Sequence, residues 1–206
     1  MSACDRVVKG LAEPGTHQAR SGDMNPIHDL THGPGAPRVV DAYIEIPKGG
    51  RVKYEVDKVS GLLRASRVLY GALHYPANYG FIPQTIDDDG DALDILVLAQ
   101  EEIQSGCLVS ARVVGVMPMV DAGETDDKII AVMVGDPAFE VVRSLDDLLP
   151  FRMNEIMRFF GDYKALEEKE VRVAAPLGLD EAVKVVERCT LAYERKHATS
   201  ARVGRA

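Results

Sequence analysis

Residues 87–94 read DDDGDALD, and five of the eight are aspartates: Asp87, Asp88, Asp89, Asp91 and Asp94. The apolar run ILVLA follows at once, so the charges crowd the entrance of a segment suited to burial. Carboxylates this close repel one another, which raises their pKa values and destabilises a fold unless cations neutralise them. A solvated turn is the ordinary fate of such a run, because Asp and Gly are turn formers. That reading predicts no echo elsewhere, yet DAGETDDK, from Asp121 to Lys128, sets a second acidic group beside a lysine. A calcium loop of the EF-hand type fails on spacing. With Gly90 at the glycine position, Thr85, Asp87 and Asp89 take the first ligand positions. Leu96 then falls where a bidentate Glu is required, and the flanks read as strands. Asp89, Asp91 and Asp94, spaced D-x-D-x-x-D and joined by the second cluster, suit hard cations, Mg2+ or Mn2+. Two or more such ions about 3.5–4 Å apart would serve phosphate chemistry.

Donors for phosphoryl oxygens surround these clusters in the sequence. Lys53 and Glu55 share one face of a strand, and Arg67 lies on the next. Tyr75 and Tyr79 bracket YPANY, and Tyr163 and Lys164 stand together. Lys, Arg and Tyr all donate to phosphoryl oxygens. Each alone is commonplace, since a lysine is usually solvated and a tyrosine beside proline usually packs. Their joint occurrence around two acidic groups is what points to a site. Asp87 and Asp88 are not needed in this scheme and read as loop solvation.

The elements that must position these groups are mostly strands. VVDAYIEI alternates and is β-branched, and RVKYEVD alternates strictly, with Val52, Tyr54 and Val56 on one face. Further strands are expected at LLRASRVLY, DILVLA, LVSARVVGVM and KIIAVMV. Short strands between turn signals predict a small barrel or sandwich. The period then changes. Pro150 suits the first turn of a helix through FRMNEIMRFF, which Gly161 would end or loosen. Asp180 is placed to cap a second helix whose inner face carries Val183, Val186, Thr190 and Tyr193, flanked by Ala182, Val185 and Cys189. Residues 1–36 read as a flexible or loosely docked extension, 37–198 as one domain and 199–206 as a frayed tail. Met24 is a candidate start of a shorter chain, with the preceding residues then a leader.

The 206 residues carry a net charge of −8, which disfavours binding to nucleic acid or anionic membrane. Cys4, Cys107 and Cys189 form no pairing pattern, fit a reducing cytoplasm, and leave Cys107 and Cys189 as core fillers. No apolar run reaches the roughly 20 residues of a membrane span.

At this point the sequence closely resembles the soluble, Mg2+-dependent inorganic pyrophosphatases of the family I, prokaryotic type. IEIPKGGRVKYEVDKVSG, HYPANYGFIPQT, DDDGDALDILVL and DAGETDDKIIAV follow that family's pattern in order and spacing. FFGDYKALE matches its late Tyr-Lys element, and HDLTHGP resembles its lead-in. The resemblance runs from about Pro37 to the C-terminal helix. It implies a mainly β fold, an OB-like closed five-stranded barrel with flanking helices. It also implies homohexamers, and hydrolysis of pyrophosphate by several Mg2+ ions, with Mn2+ or Zn2+ as substitutes.

The same resemblance assigns roles. Asp89, Asp94 and Asp126 correspond to ligands of activating metals, and Asp94 stands near the attacking water. Asp91 corresponds to the acceptor of its proton. Asp121 and Asp126 correspond to ligands of a metal arriving with substrate, while Glu45 and Glu55 act through metal-bound waters. Lys53, Arg67, Lys128, Tyr163 and Lys164 correspond to holders of phosphoryl oxygens. Tyr75 and Tyr79 order the site. Asp91, Tyr79 and Arg67 make the catalytic set. Two positions depart from the pattern. Ala92 stands where members carry Pro or Glu, which implies a change in loop stiffness. Ala122 stands where some members have an acidic residue, with Glu124 nearby.

Three rivals remain at this level. An OB-type oligonucleotide binder is opposed by the charge and by an aromatic content of 6%, low for base stacking. A retired relative should have lost some aspartates or lysines, and all are present. A broader Mg2+-dependent phosphohydrolase acting on nucleotides would need a base pocket, which no motif marks.

Overall fold

The computed structural model describes residues 24–167 and 170–203. Asn25 caps a single helical turn, α1 (Pro26–Asp29), by accepting from the Ile27 N–H at 3.0 Å. Strand β1 (Val39–Ile46) follows. The next two expected strands pair as a separate hairpin of β2 (Val52–Val56) and β3 (Leu63–Val68). Next come β4 (Asn78–Phe81), β5 (Asp94–Leu98) and β6 (Leu108–Met117). A tight hairpin of β7 (Met119–Asp121) and β8 (Glu124–Thr125) leads into β9 (Lys128–Met133). Helix α2 (Pro150–Asp162), short strands β10 (Val171–Val173) and β11 (Leu177–Gly178), and helix α3 (Leu179–Val203) complete the chain.

Five strands close on themselves in the order β1-β4-β5-β9-β6, with β6 returning to pair with β1. Only β5 and β9 run parallel among these pairs. This is the expected closed, OB-like barrel with flanking helices. The sheet is buried on both faces. Ile95, Val97, Ile129 and Ala131 join Ala182, Val186 and Cys189 of α3 in one cluster. Leu96, Leu98, Ile130 and Val132 join Ile156, Phe159 and Phe160 of α2 in another. Double-sided burial explains why these two strands read as unbroken apolar runs rather than alternating ones. Strand β4 was not expected, because NYGF has no β-branched residue to announce it. Its glycine is required by packing: a Cβ on Gly80 would lie 1.9 Å from the Tyr43 carbonyl oxygen on β1.

Several local expectations need correction. Helix α3 begins at Leu179, so Asp180 sits in its first turn instead of capping it, where a carboxylate still favours the helix dipole. Its buried stripe is Ala182, Val186, Cys189 and Tyr193, which leaves Val183 and Thr190 half-buried at the edge. The helix runs to Val203, so residues 199–203 of the expected frayed tail are helical. Gly161 lies within α2 and does not end it. Cys189 is a buried filler, but Cys107 is exposed in the turn before β6, and Cys4 lies outside the described residues. Of the expected N-terminal extension, residues 1–23 lie outside the described residues. Residues 24–36 are docked: Asn25 Nδ2 donates to the Lys58 carbonyl (3.1 Å), Gln84 Nε2 donates to the His28 carbonyl (2.9 Å), and His28 Nδ1 lies 2.9 Å from the Tyr193 hydroxyl. Among the described residues no helix is long and apolar enough to cross a membrane.

Candidate active site

The acidic residues gather because parallel pairing of β5 and β9 sets their first residues side by side, Asp94 opposite Lys128. Each strand enters the barrel from an acidic turn, so both turns open on one mouth. The cavity there has a volume of about 540 Å³. Asp89, Asp91, Asp94, Asp121 and Asp126 line it, as do Glu45 of β1 and Lys53 and Glu55 of the β2–β3 hairpin. Tyr75, Tyr79, Tyr163 and Lys164 complete the part of the lining that was expected. Residues more than 100 positions apart in sequence therefore meet in one place.

Two expected residues do not line the cavity. Lys128 is fully buried behind it and donates to both Asp94 and Asp126. Arg67, opposite Lys53 in the hairpin, pairs with Glu167 at 2.5 Å and stands 6.0 Å from the centre of the Tyr163 ring. Its Nε and Nη2 are buried and have no hydrogen-bond partner among the described residues. Buried donors in that condition call for an acceptor from outside, such as an anion.

The remaining contacts form a chain of charge. Tyr79 donates its hydroxyl to Asp94, and Lys164 donates to Asp121. The Tyr163 hydroxyl lies 3.4 Å from the same Asp121 carboxylate. Lys53 and Glu55 pair at 2.6 Å. Tyr75 packs its ring between Tyr79 and Phe159, at 5.4 and 4.8 Å.

The electrostatics report an excess of negative charge. Burial, with the Asp94 charge adding, pushes Glu45 up to about 8, although the Val56 N–H donates to it at 2.8 Å. Burial pushes Asp126 up to about 6, opposed by Lys128 and reinforced by Asp94. Burial also raises Asp89, with Asp91, Asp94 and Asp87 adding repulsion. Burial works against the charge of Lys128, but Asp94 and Asp126 outweigh it and hold this ammonium above the ordinary lysine value. Tyr163 and Tyr79 are raised by burial and by their aspartate neighbours, so both stay protonated donors.

These residues fit divalent cations. The donor set is carboxylate oxygen, the choice of a hard ion. Asp121 Oδ1 is buried with no hydrogen-bond partner among the described residues, as an oxygen reserved for a ligand would be. Among the described residues no three carboxylates yet stand as a ready ligand group. The ammonium groups of Lys128 and Lys164 stand against the carboxylates instead, supplying the positive charge locally.

Two contacts were missed from sequence. Lys58, in the turn after β2, pairs with Asp91 across the cavity rim, though both are well exposed. Asp87 is not solvated as expected. It is buried, and Arg188 of α3 donates to it at 2.8 Å. Asp88 is exposed but also meets Arg188, at 3.1 Å. No spacing rule links residues about a hundred positions apart, so only the packing of α3 reveals this pairing.

A closed barrel whose mouth gathers carboxylates, with Lys128 buried behind them and Lys164 beside them, is a candidate site for an anion carried with divalent cations. The family model for inorganic pyrophosphatase matches residues 42–194. A soluble inorganic pyrophosphatase from Oryza sativa subsp. indica is 51% identical over 162 residues, 79% of this chain and 76% of the rice protein. Soluble inorganic pyrophosphatase 1 of Arabidopsis thaliana is 48% identical over 183 residues, 89% of this chain and 84% of its own. The crystal structure of the Thermus thermophilus inorganic pyrophosphatase superposes with a TM-score of 0.80 at 38% identity, covering 83% of this chain and 99% of that one. The chain belongs to the inorganic pyrophosphatase family, of the soluble family I type.

Proposed function

We propose that the barrel mouth carries out the family's reaction, the hydrolysis of inorganic pyrophosphate to two phosphates, by in-line attack of water. The observation that carries this reading is the convergence of five aspartates with Lys53, Tyr163 and Lys164 on one cavity. Asp89, Asp94, Asp121 and Asp126 would hold Mg2+, and Glu45 and Glu55 would act through ordered water. The chemistry such ions would supply is neutralisation of the substrate's charge and a lowered pKa of water. Asp91, half-exposed at the rim and paired with Lys58, accepts the proton of the attacking water. Lys53, Tyr163 and Lys164 hold phosphoryl oxygens and offset charge on the leaving phosphate. Arg67 joins them on leaving Glu167, and its partnerless nitrogens support that role. Lys128, bonded to Asp94 and Asp126, would be a further donor to phosphoryl oxygen. Tyr79 and Tyr75 keep Asp94 and its neighbours in position, one by its hydroxyl and the other by packing. Residues 37–198 form the catalytic domain, supported by the 42–194 family match. The chain assembles as a homohexamer in the cytoplasm.

Phosphate release from pyrophosphate tests the scheme. The protein with Mg2+ should release phosphate quickly and excess EDTA should stop it. Asp91→Asn should lower kcat by about 10²–10⁴, the usual worth of a proton acceptor. Full release in the variant removes Asp91 from that role, and ATP cleaved as readily as pyrophosphate would replace the substrate assignment.

A further inference from the structure

Arg188 lies on α3, outside the cavity lining, and its guanidinium spans two separate turns. Nη2 donates to Asp87 Oδ1 at 2.8 Å and Nη1 to Asp88 Oδ2 at 3.1 Å. On its other side Nη2 lies 3.6 Å from Asp127 Oδ2. Asp87 roots the first acidic turn. Its N–H donates to the Asp91 carbonyl at 2.8 Å, and its carbonyl accepts from Gly90 at 2.9 Å, closing the loop that carries Asp89 and Asp91. The preceding residue, Ile86, donates to the Cys189 carbonyl of α3 at 3.0 Å. Asp127 follows Asp126 and precedes Lys128, so it roots the second turn. Lys128 joins the two turns on the cavity side, through Asp94 and Asp126. Arg188 joins them on the far side.

We propose that Arg188 is a positioning residue for the divalent cations, a strap that fixes the separation of the Asp89–Asp94 turn from the Asp126 turn. The proposal rests on the assignment of Asp89, Asp94 and Asp126 as ligands. Two features favour a strap over a chance surface pair. The Asp87 carboxylate is almost wholly buried, with side-chain exposure of 4%, and a buried carboxylate without a partner is costly. The planar guanidinium also presents several donors in fixed directions, so it can hold both turns in one geometry. A lysine in its place would carry the charge without the fork. Residues that orient ligands from outside in this way change metal affinity by about 10–100-fold when removed.

Charge and position predict opposite signs. Removing a nearby positive charge should tighten Mg2+ binding, whereas removing a strap should weaken it. Calorimetric titration of Mg2+ into the full, substrate-free protein reads the sign directly. Arg188→Gln should raise the Mg2+ dissociation constant about tenfold or more. Arg188→Lys, which keeps the charge, should still weaken binding, by less. With pyrophosphate, excess Mg2+ should return kcat of both variants to within a few-fold of wild type. Unchanged or tighter binding in Arg188→Lys overturns the strap, and that variant decides the matter even where Arg188→Gln fails to fold. Asp126→Asn separates the two readings. If it binds Mg2+ as tightly as the parent, the ligand assignment fails and the strap with it. If it binds weakly while both Arg188 variants match wild type, only the strap fails.

Discussion

Strands β5 and β9 lie side by side, and each has two unlike parts. Their first residues are charged: Asp94 lines the mouth and Lys128 is buried behind it, bonded to Asp94. The residues after them, Ile95–Leu98 and Ile129–Val132, are buried apolar groups packed against α2 and α3. The same hydrogen-bond ladder thus serves two kinds of energy. Inside the barrel, apolar burial stabilises the fold and tolerates no charge. At the mouth, like charges are held at fixed separation by that rigidity and kept from collapse only by lysines or cations. Stability resides in one part, and the capacity for chemistry in the other.

The sharpest way to break the mouth is Lys128→Met. With its ammonium gone, Asp94 and Asp126 lose their buried partner, and the metal-free protein should lose about 3–5 kcal/mol in denaturant unfolding. Excess Mg2+ should restore part of that loss. A variant equally stable with and without Mg2+ would show that the carboxylates do not depend on cations. The matching cut inside the barrel is Leu96→Ala, a fully buried side chain. It should cost about 3 kcal/mol through the cavity it leaves. Here added Mg2+ should give the same stabilisation as in the parent, since the lost contacts lie away from the mouth.

A pH dependence also separates the two parts. Glu45 sits at about 8 in the folded protein, above its ordinary value. It therefore keeps a proton in the fold at pH values where the unfolded chain has released it. Stability of the metal-free protein should then fall as pH rises from about 4.5 toward 8. Thermal melts across this range should show the fall, which Glu45→Gln should flatten above about pH 6, since Asp126, raised to about 6, adds its own fall below that. An equal slope in that variant would remove Glu45 as its source. The smallest effect belongs to the β7–β8 turn, where Ala122 adopts φ 51. A side chain disfavours this left-handed conformation, so Ala122→Gly should raise stability by up to about 1 kcal/mol. The gain should appear in Tm without a change in kcat.

Much of the site was legible before the fold was known. Asp89, Asp91 and Asp94 repel so strongly at that spacing that a cation is the simple remedy, and the Asp121–Lys128 segment repeats the pattern. The β1, β5, β6 and β9 strands announced themselves through β-branched runs bounded by turns. Strand β4 did not, because its role depends on a glycine that lets two backbones meet, and that demand has no local signature. The stripe on α3 was displaced by one residue at two positions, Val183 and Thr190, for a similar reason: the four buried positions define the face only once the sheet beneath it is in place. Asp87 was misread because a carboxylate's burial depends on what packs over it, and Arg188 arrives from the far end of the chain.

The sequence by itself determined the chemistry in stock: carboxylates in two clusters, lysines and tyrosines of the kind that donate to phosphoryl oxygen, and apolar runs long enough to close a barrel. These are properties of residue type and short spacing, which act over a few residues. Tertiary structure decided which charges meet. It set Lys128 between Asp94 and Asp126, turned Arg67 toward Glu167, and brought Arg188 against Asp87 and Asp127. Electrostatic energy depends on distance through space and on burial, and both are fixed only when the strands pair and the helices cover them.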